Sequence, residues 1–116
     1  MTDIDLGISP NDPFLPDPVN VAASEEATFD GTDAETDVAV ISGAMATFDA
    51  EVYIDAWDGT EWQEVTQLAD AEGNATFSGP WHTQFNRVYV GTDRRRVRIE
   101  NVSDSSGFCA VEGDER

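Results

Sequence analysis

Arginines form the densest cluster of chemically capable side chains in this sequence. The chain has six basic residues, all of them arginine, against 24 acidic ones. Five of the arginines fall within one short stretch: Arg87, Arg94, Arg95, Arg96 and Arg98. Guanidinium groups bind phosphates and carboxylates through paired hydrogen bonds. The net charge of -18 creates a negative field that opposes binding of a polyanion, so we expect no nucleic-acid binding.

The alternation around Val97 and Ile99 indicates how these arginines are arranged. In a strand over residues 95–103, the two apolar side chains face the core, and Arg96 and Arg98 face outward. One interpretation is an exposed arginine row that pairs with acids on neighbouring strands. The other is a docking face for an acidic protein partner, because pairing between arginine and carboxylate is geometrically selective. The arginines assigned to this face are Arg94, Arg96 and Arg98.

Tryptophans give a second candidate surface. Trp57 and Trp62 are expected to pair on the outer face of a hairpin, where they would form an apolar patch. Together with Trp81, such flat rings suit stacking on a sugar, contact with another subunit, or packing beneath another segment of the chain. All three uses stay open on the sequence alone.

An acidic stretch invites a calcium site, because calcium prefers carboxylate oxygens. Its acids are Asp30, Asp33, Glu35 and Asp37. The position of Gly31 does not match the helix–loop–helix calcium motif. Carboxylates cluster by chance on a chain this acidic, so we expect a hydrated surface loop and no bound metal or other cofactor.

The sequence carries no recognisable catalytic set. His82 is the single histidine and Cys109 the single cysteine. We expect His82 to be a structural hydrogen-bonding residue and Cys109 to be a small core residue. Asp55 and Glu64 could form a carboxylate pair for glycoside hydrolysis, but no sequence feature marks a cleft around them. The sequence therefore predicts a protein that is not an enzyme.

Residues 50–66 predict the central hairpin of the fold. Apolar and polar residues alternate on both sides of Asp58 and Gly59, which tolerate the positive φ of a tight turn. With the loop at that position, Ile54 opposes Val65 in the core. The two tryptophans oppose each other on the other face.

Seven strands are predicted in the body of the chain. Their bounds are 36–42, 46–57, 61–68, 74–78, 84–91, 95–103 and 107–112. Short strands between glycine-containing turns indicate an all-β fold, an antiparallel β-sandwich of the jelly-roll or immunoglobulin-like type over residues 36–116. The last three strands are expected to form a meander.

Residues 1–35 are predicted to form an extended, proline-rich N-terminal arm followed by an acidic connector. Four of the five prolines lie between positions 10 and 18, where each fixes φ and keeps its predecessor extended. Ile4, Leu6 and Ile8 add apolar side chains, which we interpret as docking points on the same subunit or on a neighbour. The arm residues expected to bind a partner are Pro10, Pro13, Phe14, Leu15 and Pro16.

The charge balance predicts that the protein works at high salt concentration. Repulsion among the acids opposes compaction in dilute buffer, but at molar salt the screening length falls to about 3 Å. The alternative interpretation of the charge is an ordinary acidic domain of a mesophile. The first residues lack the features of a secretory signal, and no apolar run is long enough to cross a membrane, so we expect neither secretion nor membrane association.

The composition, rich in Asp, Glu, Ala and Thr and devoid of Lys, resembles that of proteins from haloarchaea and their viruses. The arm, the hairpin from Ala50 through Trp62 and the strand over residues 96–101 resemble small β-sandwich structural proteins of haloarchaeal tailed viruses. Among these structural proteins, the chain particularly resembles capsid decoration proteins and other accessory virion proteins.

That resemblance implies a β-rich body seated on the capsid and an arm that adds to neighbouring subunits. It implies a non-enzymatic virion protein, assembled in the host cytoplasm, that decorates or cements the capsid. The implied partners are the major capsid protein or further copies of this chain in a homo-oligomer. The alternatives are a glycan-binding module of a host-attachment apparatus and a cell-surface domain of a halophile.

Overall fold

The computed structural model describes residues 13–14, 16–30, 38–70, 72–91 and 95–115. Ten β-strands and no helix occur among them, which confirms the predicted all-β fold. The strands are Pro13–Phe14 (β1), Val19–Val21 (β2), Glu26–Phe29 (β3), Val38–Ala46 (β4), Ala50–Trp57 (β5), Trp62–Gln67 (β6), Thr76–Phe77 (β7), Trp81–Gly91 (β8), Arg95–Asn101 (β9) and Gly107–Glu115 (β10). No helix capable of crossing a membrane is therefore found in the described ranges.

The strands form one curled, mixed sheet in the order β1-β10-β4-β8-β9-β5-β6. β2 also pairs with β10, β3 with β9, and β7 with β5. Within the described residues, the contact between β8 and β9 is a single parallel pair, Val90 with Arg95, whereas the other pairings are antiparallel. The sheet therefore has two halves, one built around β4 and β10 and the other around β5 and β9.

Both halves contribute to one hydrophobic core, to which strands such as β3, β5 and β9 present the apolar residues of one face. The first half supplies Ile41 and Val111, and the second supplies Val52 and Ile99, each at most 2% exposed. Alanines in β3, β4 and β5 fill much of the remaining space. Cys109 is a buried core residue, as predicted.

The central hairpin has the predicted turn but a different register beyond it. The Asp58 amide donates to the Glu61 carbonyl at 3.0 Å, and Gly59 adopts a φ of +101°. Trp57 opposes Trp62 as predicted. The predicted pairing of Ile54 with Val65 is wrong: Ile54 pairs with Thr66, because a bulge places one additional residue in β6. Val65 is consequently 50% exposed.

Two other predictions about connectivity are also wrong. β4 continues through residues 43–45, where the sequence predicted a break between strands 36–42 and 46–57, and it contains a bulge between Ile41 and Gly43. The last three strands do not form a meander: β8 pairs with β4, β9 pairs with β5 and β3, and β10 pairs with β4. Apolar alternation identifies the buried face of a strand, but it does not identify the neighbouring strand.

The segment assigned to the arm and connector supplies strands to the sheet of the body. β1 and β2 lie along β10, with Pro13 opposite Asp114 and Val19 opposite Cys109. β3 lies along β9, and its Phe29 side chain is 5% exposed within the core. Thus the chain between residues 16 and 30 is anchored to both halves of the sheet.

Candidate functional site

Six side chains on the convex face of β5, β6 and β9 form one contiguous arrangement, which we call the Arg–aromatic layer. Its members are Tyr53, Asp55, Trp57, Trp62, Arg96 and Arg98. The strand register produces it directly, since Tyr53 lies opposite Arg98 and Asp55 lies opposite Arg96. Residues opposite each other on one face of an antiparallel pair have adjacent side chains.

Asp55 occupies the centre of the layer and is only 1% exposed. Its Oδ2 accepts hydrogen bonds from the Nε atoms of Arg96 at 2.7 Å and Arg98 at 3.0 Å. Its Oδ1 accepts a third from Nη2 of Arg98 at 3.2 Å. Arg98 also pairs with Glu100 and, at 3.5 Å, with the exposed carboxylate of Glu64. A buried carboxylate is therefore matched by two guanidinium groups, as burial of a charge requires.

The same contacts set the protonation state of these groups. Burial opposes ionisation of Asp55, but hydrogen bonds from Arg98 and Arg96 outweigh it, and the pKa of Asp55 lies below its ordinary value of 3.8. Burial likewise opposes the charge on Arg98, yet the hydrogen bond and charge of Asp55 hold the pKa of Arg98 above its ordinary value. Asp55 and Arg98 are therefore both charged at neutral pH.

Aromatic rings hold the guanidinium groups in place. The Arg96 guanidinium carbon lies 4.6 Å from the ring centroid of Trp62, and that of Arg98 lies 4.2 Å from the ring of Tyr53. Both distances fall within the range of cation–π attraction. Trp57 packs edge-on against Trp62 at a centroid separation of 5.4 Å. Arg96 therefore occupies part of the aromatic surface that the sequence offered to a sugar.

Tyr53 ties the layer to a further carboxylate. Its hydroxyl donates to Oε1 of Glu51 at 2.7 Å. That hydrogen bond, followed by burial and the nearby negative charges, raises the pKa of Tyr53 to about 12. The phenol stays protonated at any physiological pH and serves as a hydrogen-bond donor.

These contacts determine which chemistry the layer can perform. A glycoside hydrolase needs a carboxylic acid with a raised pKa, whereas the pKa of Asp55 is lowered and its oxygens are bound to arginines. The pairing of Arg96 and Arg98 with Asp55 on the adjacent strand agrees with the first of the two sequence interpretations. The predicted exposure of the row is wrong, because the two side chains are only 19% and 13% exposed. The sequence did not reveal that Asp55 is buried beneath them.

A second site, which the sequence did not indicate, lies on the outer face of β10, β4 and β8. It is an apolar groove of about 450 Å³. Its lining residues are Pro18, Met45, Ala46, Thr47, Pro80, Trp81, His82, Phe108, Cys109 and Ala110. Phe108 is 52% exposed and Met45 is 40% exposed, although both are large apolar side chains. We call this surface the apolar groove.

The apolar groove has no acidic lining residue, in a chain where 24 of 116 residues are acidic. Its ionisable members are His82 and the buried Cys109, and burial raises the pKa of the Cys109 thiol to about 11. His82 Nε2 lies 2.7 Å from Oε1 of Glu112, in agreement with the predicted structural hydrogen-bonding role. The groove is therefore an apolar surface without acidic lining residues on a strongly anionic body.

The remaining candidate residues take up other positions. Trp81 donates from Nε1 to the Phe48 carbonyl at 3.1 Å and packs against Phe77 and the core. Pro13 and Phe14 lie in β1, and Pro16 is partly buried just before β2. Pro10, Leu15 and Arg94 lie outside the described residues, as do Asp33, Glu35 and Asp37 of the proposed calcium loop. Among the described residues, no cluster of three potential metal ligands occurs.

Asn101 has a structural role that the alternation along its strand did not indicate. It is 1% exposed, and its Nδ2 donates to the carbonyls of Val21 and Ser105 at 3.1 and 2.8 Å. Its Oδ1 accepts from the amide and hydroxyl of Ser103. The side chain thereby joins β2, β9 and the turn before β10.

Comparison with known proteins gives no family assignment. No protein-family model matches the chain, and no curated protein is significantly similar to it. The functional conclusion therefore depends on the geometry of the two surfaces.

Proposed function

We propose that the protein is a non-enzymatic structural component of a halophilic virus particle, decorating or cementing the capsid through contacts with other virion proteins. The observation that carries this proposal is the apolar groove, a surface without acidic lining residues on an acidic body. Exposed apolar patches of this kind mark surfaces that another molecule covers. The partners are the major capsid protein or neighbouring subunits, with no role for nucleic acid or membrane.

The charged residues support a structural role over a catalytic one. In the Arg–aromatic layer, Asp55 binds both Arg96 and Arg98, and the pKa values of Asp55 and Arg98 are held away from neutrality, below and above their ordinary values. Groups used in acid–base catalysis have pKa values near the working pH. The layer instead fixes the relative positions of β5, β6 and β9 and gives a rigid outer wall.

Salt is part of the proposed mechanism. With a net charge of -18, copies of the chain repel one another in dilute buffer. At molar salt this repulsion is screened over about 3 Å, and excluded salts strengthen apolar association. Assembly through an apolar surface is therefore favoured in the environment that the composition indicates.

We further propose that the two halves of the curled sheet lie face to face as a β-sandwich and that residues before β1 extend from it as an arm. The shared core and the single pair between β8 and β9 support the first point. Pro10, which fixes its own φ and favours extended geometry at the residue before it, supports the second. β1 and β2 belong to the sheet, so the arm available for a partner is residues 1–12.

A glycan-binding role is less well supported. The Trp62 face carries the Arg96 guanidinium, and Trp57 packs edge-on against Trp62. A sugar would have to displace Arg96, which also binds the buried Asp55.

The proposal is tested by quantifying the chain in purified particles of the virus whose genome encodes it. We expect it in a fixed ratio to the major capsid protein. Particles stripped of the chain should bind the full-length protein again and should not bind a variant lacking residues 1–12. Absence of the chain from particles would contradict the proposal, as would equal binding of both forms.

A further inference from the structure

We propose that the apolar groove binds residues 4–8 of a second copy of this chain. The inference rests on the proposed assembly function and names the surface and the segment that meet. It begins from the groove, in which Phe108 and Met45 are 52% and 40% exposed around a cavity of about 450 Å³. A surface of this composition gains from being covered by apolar side chains.

The sequence before β1 has the composition that such a surface requires. Ile4, Leu6 and Ile8 recur at every second position, with Asp3 and Asp5 beside them. In an extended segment, the three apolar side chains would share one face over about 13 Å and the two acids would take the other. The apolar face would meet the apolar side chains that line the groove, while the acids would stay in solvent.

The direction of the chain favours a second copy over the same copy. β1 and β2 run antiparallel to β10, with Pro13 opposite Asp114 and Val19 opposite Cys109. The groove lies beside Cys109, whereas β1 begins opposite Asp114, roughly 17 Å further along β10 at the usual rise per residue. The chain between Pro13 and Ile8 spans at most about 17 Å when fully extended, so any reversal within it would leave Ile8 short of the groove of the same copy.

Single-cysteine exchange in the full-length protein tests the contact directly. Ile8→Cys and Met45→Cys chains with different tags are mixed in several-molar KCl under mild oxidation. Both chains also carry Cys109→Ala, because the native Cys109 lines the groove and each chain must contain a single cysteine. We expect a disulfide between the two tagged chains, at least tenfold more abundant than that formed by Ile8→Cys with Val65→Cys. Val65 is the matched control, since it is 50% exposed and lies on β6, away from the groove.

Light scattering in the same salt provides the second measurement. The wild type should have a mass above that of the monomer, and Phe108→Asp should be monomeric, as should Leu6→Asp, which lies before the first strand. Val65→Asp should keep the wild-type mass. Circular dichroism establishes that each variant is folded.

The outcomes separate this inference from the proposed function. A cross-link confined to one chain in an Ile8→Cys/Met45→Cys double variant, with monomeric mass, would overturn the exchange between copies. A yield no greater than that of the Val65 control would overturn the groove as the receptor. If Phe108→Asp loses self-association yet still joins particles, the exchange between copies holds and the particle contact uses another surface.

Discussion

Replacement of Asp55 by Asn should destabilise the fold far more than loss of an ordinary surface acid. The carboxylate accepts three hydrogen bonds from two guanidinium groups, at 2.7, 3.0 and 3.2 Å. Removal of one partner from a buried ion pair costs about 3–5 kcal/mol. Arg96 and Arg98 retain some exposure, and Arg98 keeps Glu64 and Glu100, so we expect the lower end, about 3 kcal/mol. For a domain of this size, that loss corresponds to a fall of roughly 12 °C in Tm.

Glu64→Gln is the matched control, because Glu64 is a carboxylate partner of Arg98 whose side chain is 53% exposed. An exposed pair contributes about 1 kcal/mol or less, so its Tm should fall by no more than about 4 °C. Both variants are melted in dilute buffer and in 3 M KCl, a concentration at which exposed pairs are screened and buried ones are not. Equal Tm shifts for the two variants, or disappearance of the Asp55→Asn effect in salt, would refute the assignment of Asp55 as a buried, doubly paired carboxylate.

Acidification tests the same carboxylate by protonating it. The folded-state pKa of Asp55 lies below the ordinary value of 3.8, so the unfolded chain binds its proton first as the pH falls. The contribution of Asp55 is therefore complete above that pH and is lost as the pH falls through the folded pKa. Unfolding measured by denaturant titration should show a smaller loss of stability on acidification in Asp55→Asn than in the wild type. Parallel acid profiles would contradict this linkage.

Three further predictions test other parts of the structure. The phenolate absorbance that belongs to Tyr53, identified by its loss in Tyr53→Phe, should appear near pH 12 in the folded wild type. The stabilisation from Tyr53 should be complete below pH 10 and lost between pH 10 and 12. Absorbance near pH 10 would contradict the hydrogen bond to Glu51. Cys109 should react with a thiol reagent only after unfolding, because it is 1% exposed with a pKa of about 11; rapid native labelling would contradict its core position. Gly113→Ala should lower the stability by about 1–3 kcal/mol, since a Cβ there would overlap the Val40 carbonyl oxygen; an unchanged denaturation midpoint would contradict the bulge geometry.

Local patterns predicted local structure well. Asp58 and Gly59 identified the turn because a tight turn depends on the residues that form it, and Asp58 Oδ1 accepts from the amides of Thr60 and Glu61 at 2.8 Å each. The bulge at Val65 could not be predicted, since one additional residue in an edge strand leaves no mark on the alternation. The pairing of β8 with β4 is a long-range choice that alternation does not encode.

The candidate site was predicted only in part, for the same reason. The outward positions of Arg96 and Arg98 followed from alternation, but the burial of Asp55 depends on the adjacency of β5 and β9. The sequence did contain a signal for this ion pair, because Asp55 and both arginines occupy outward positions of the central strands. The apolar groove arises where β10, β4 and β8 meet, so neither Phe108 nor Met45 could be recognised from its own segment.

The melting temperature of the full-length protein across KCl concentrations tests the central claim most directly. That claim is that this acidic β domain is most stable in molar salt and binds its partners there. With a net charge of -18, the account predicts a continuous rise in Tm from dilute buffer to about 3 M KCl, by roughly 10 °C or more. A Tm that is independent of salt, or highest in dilute buffer, would contradict it.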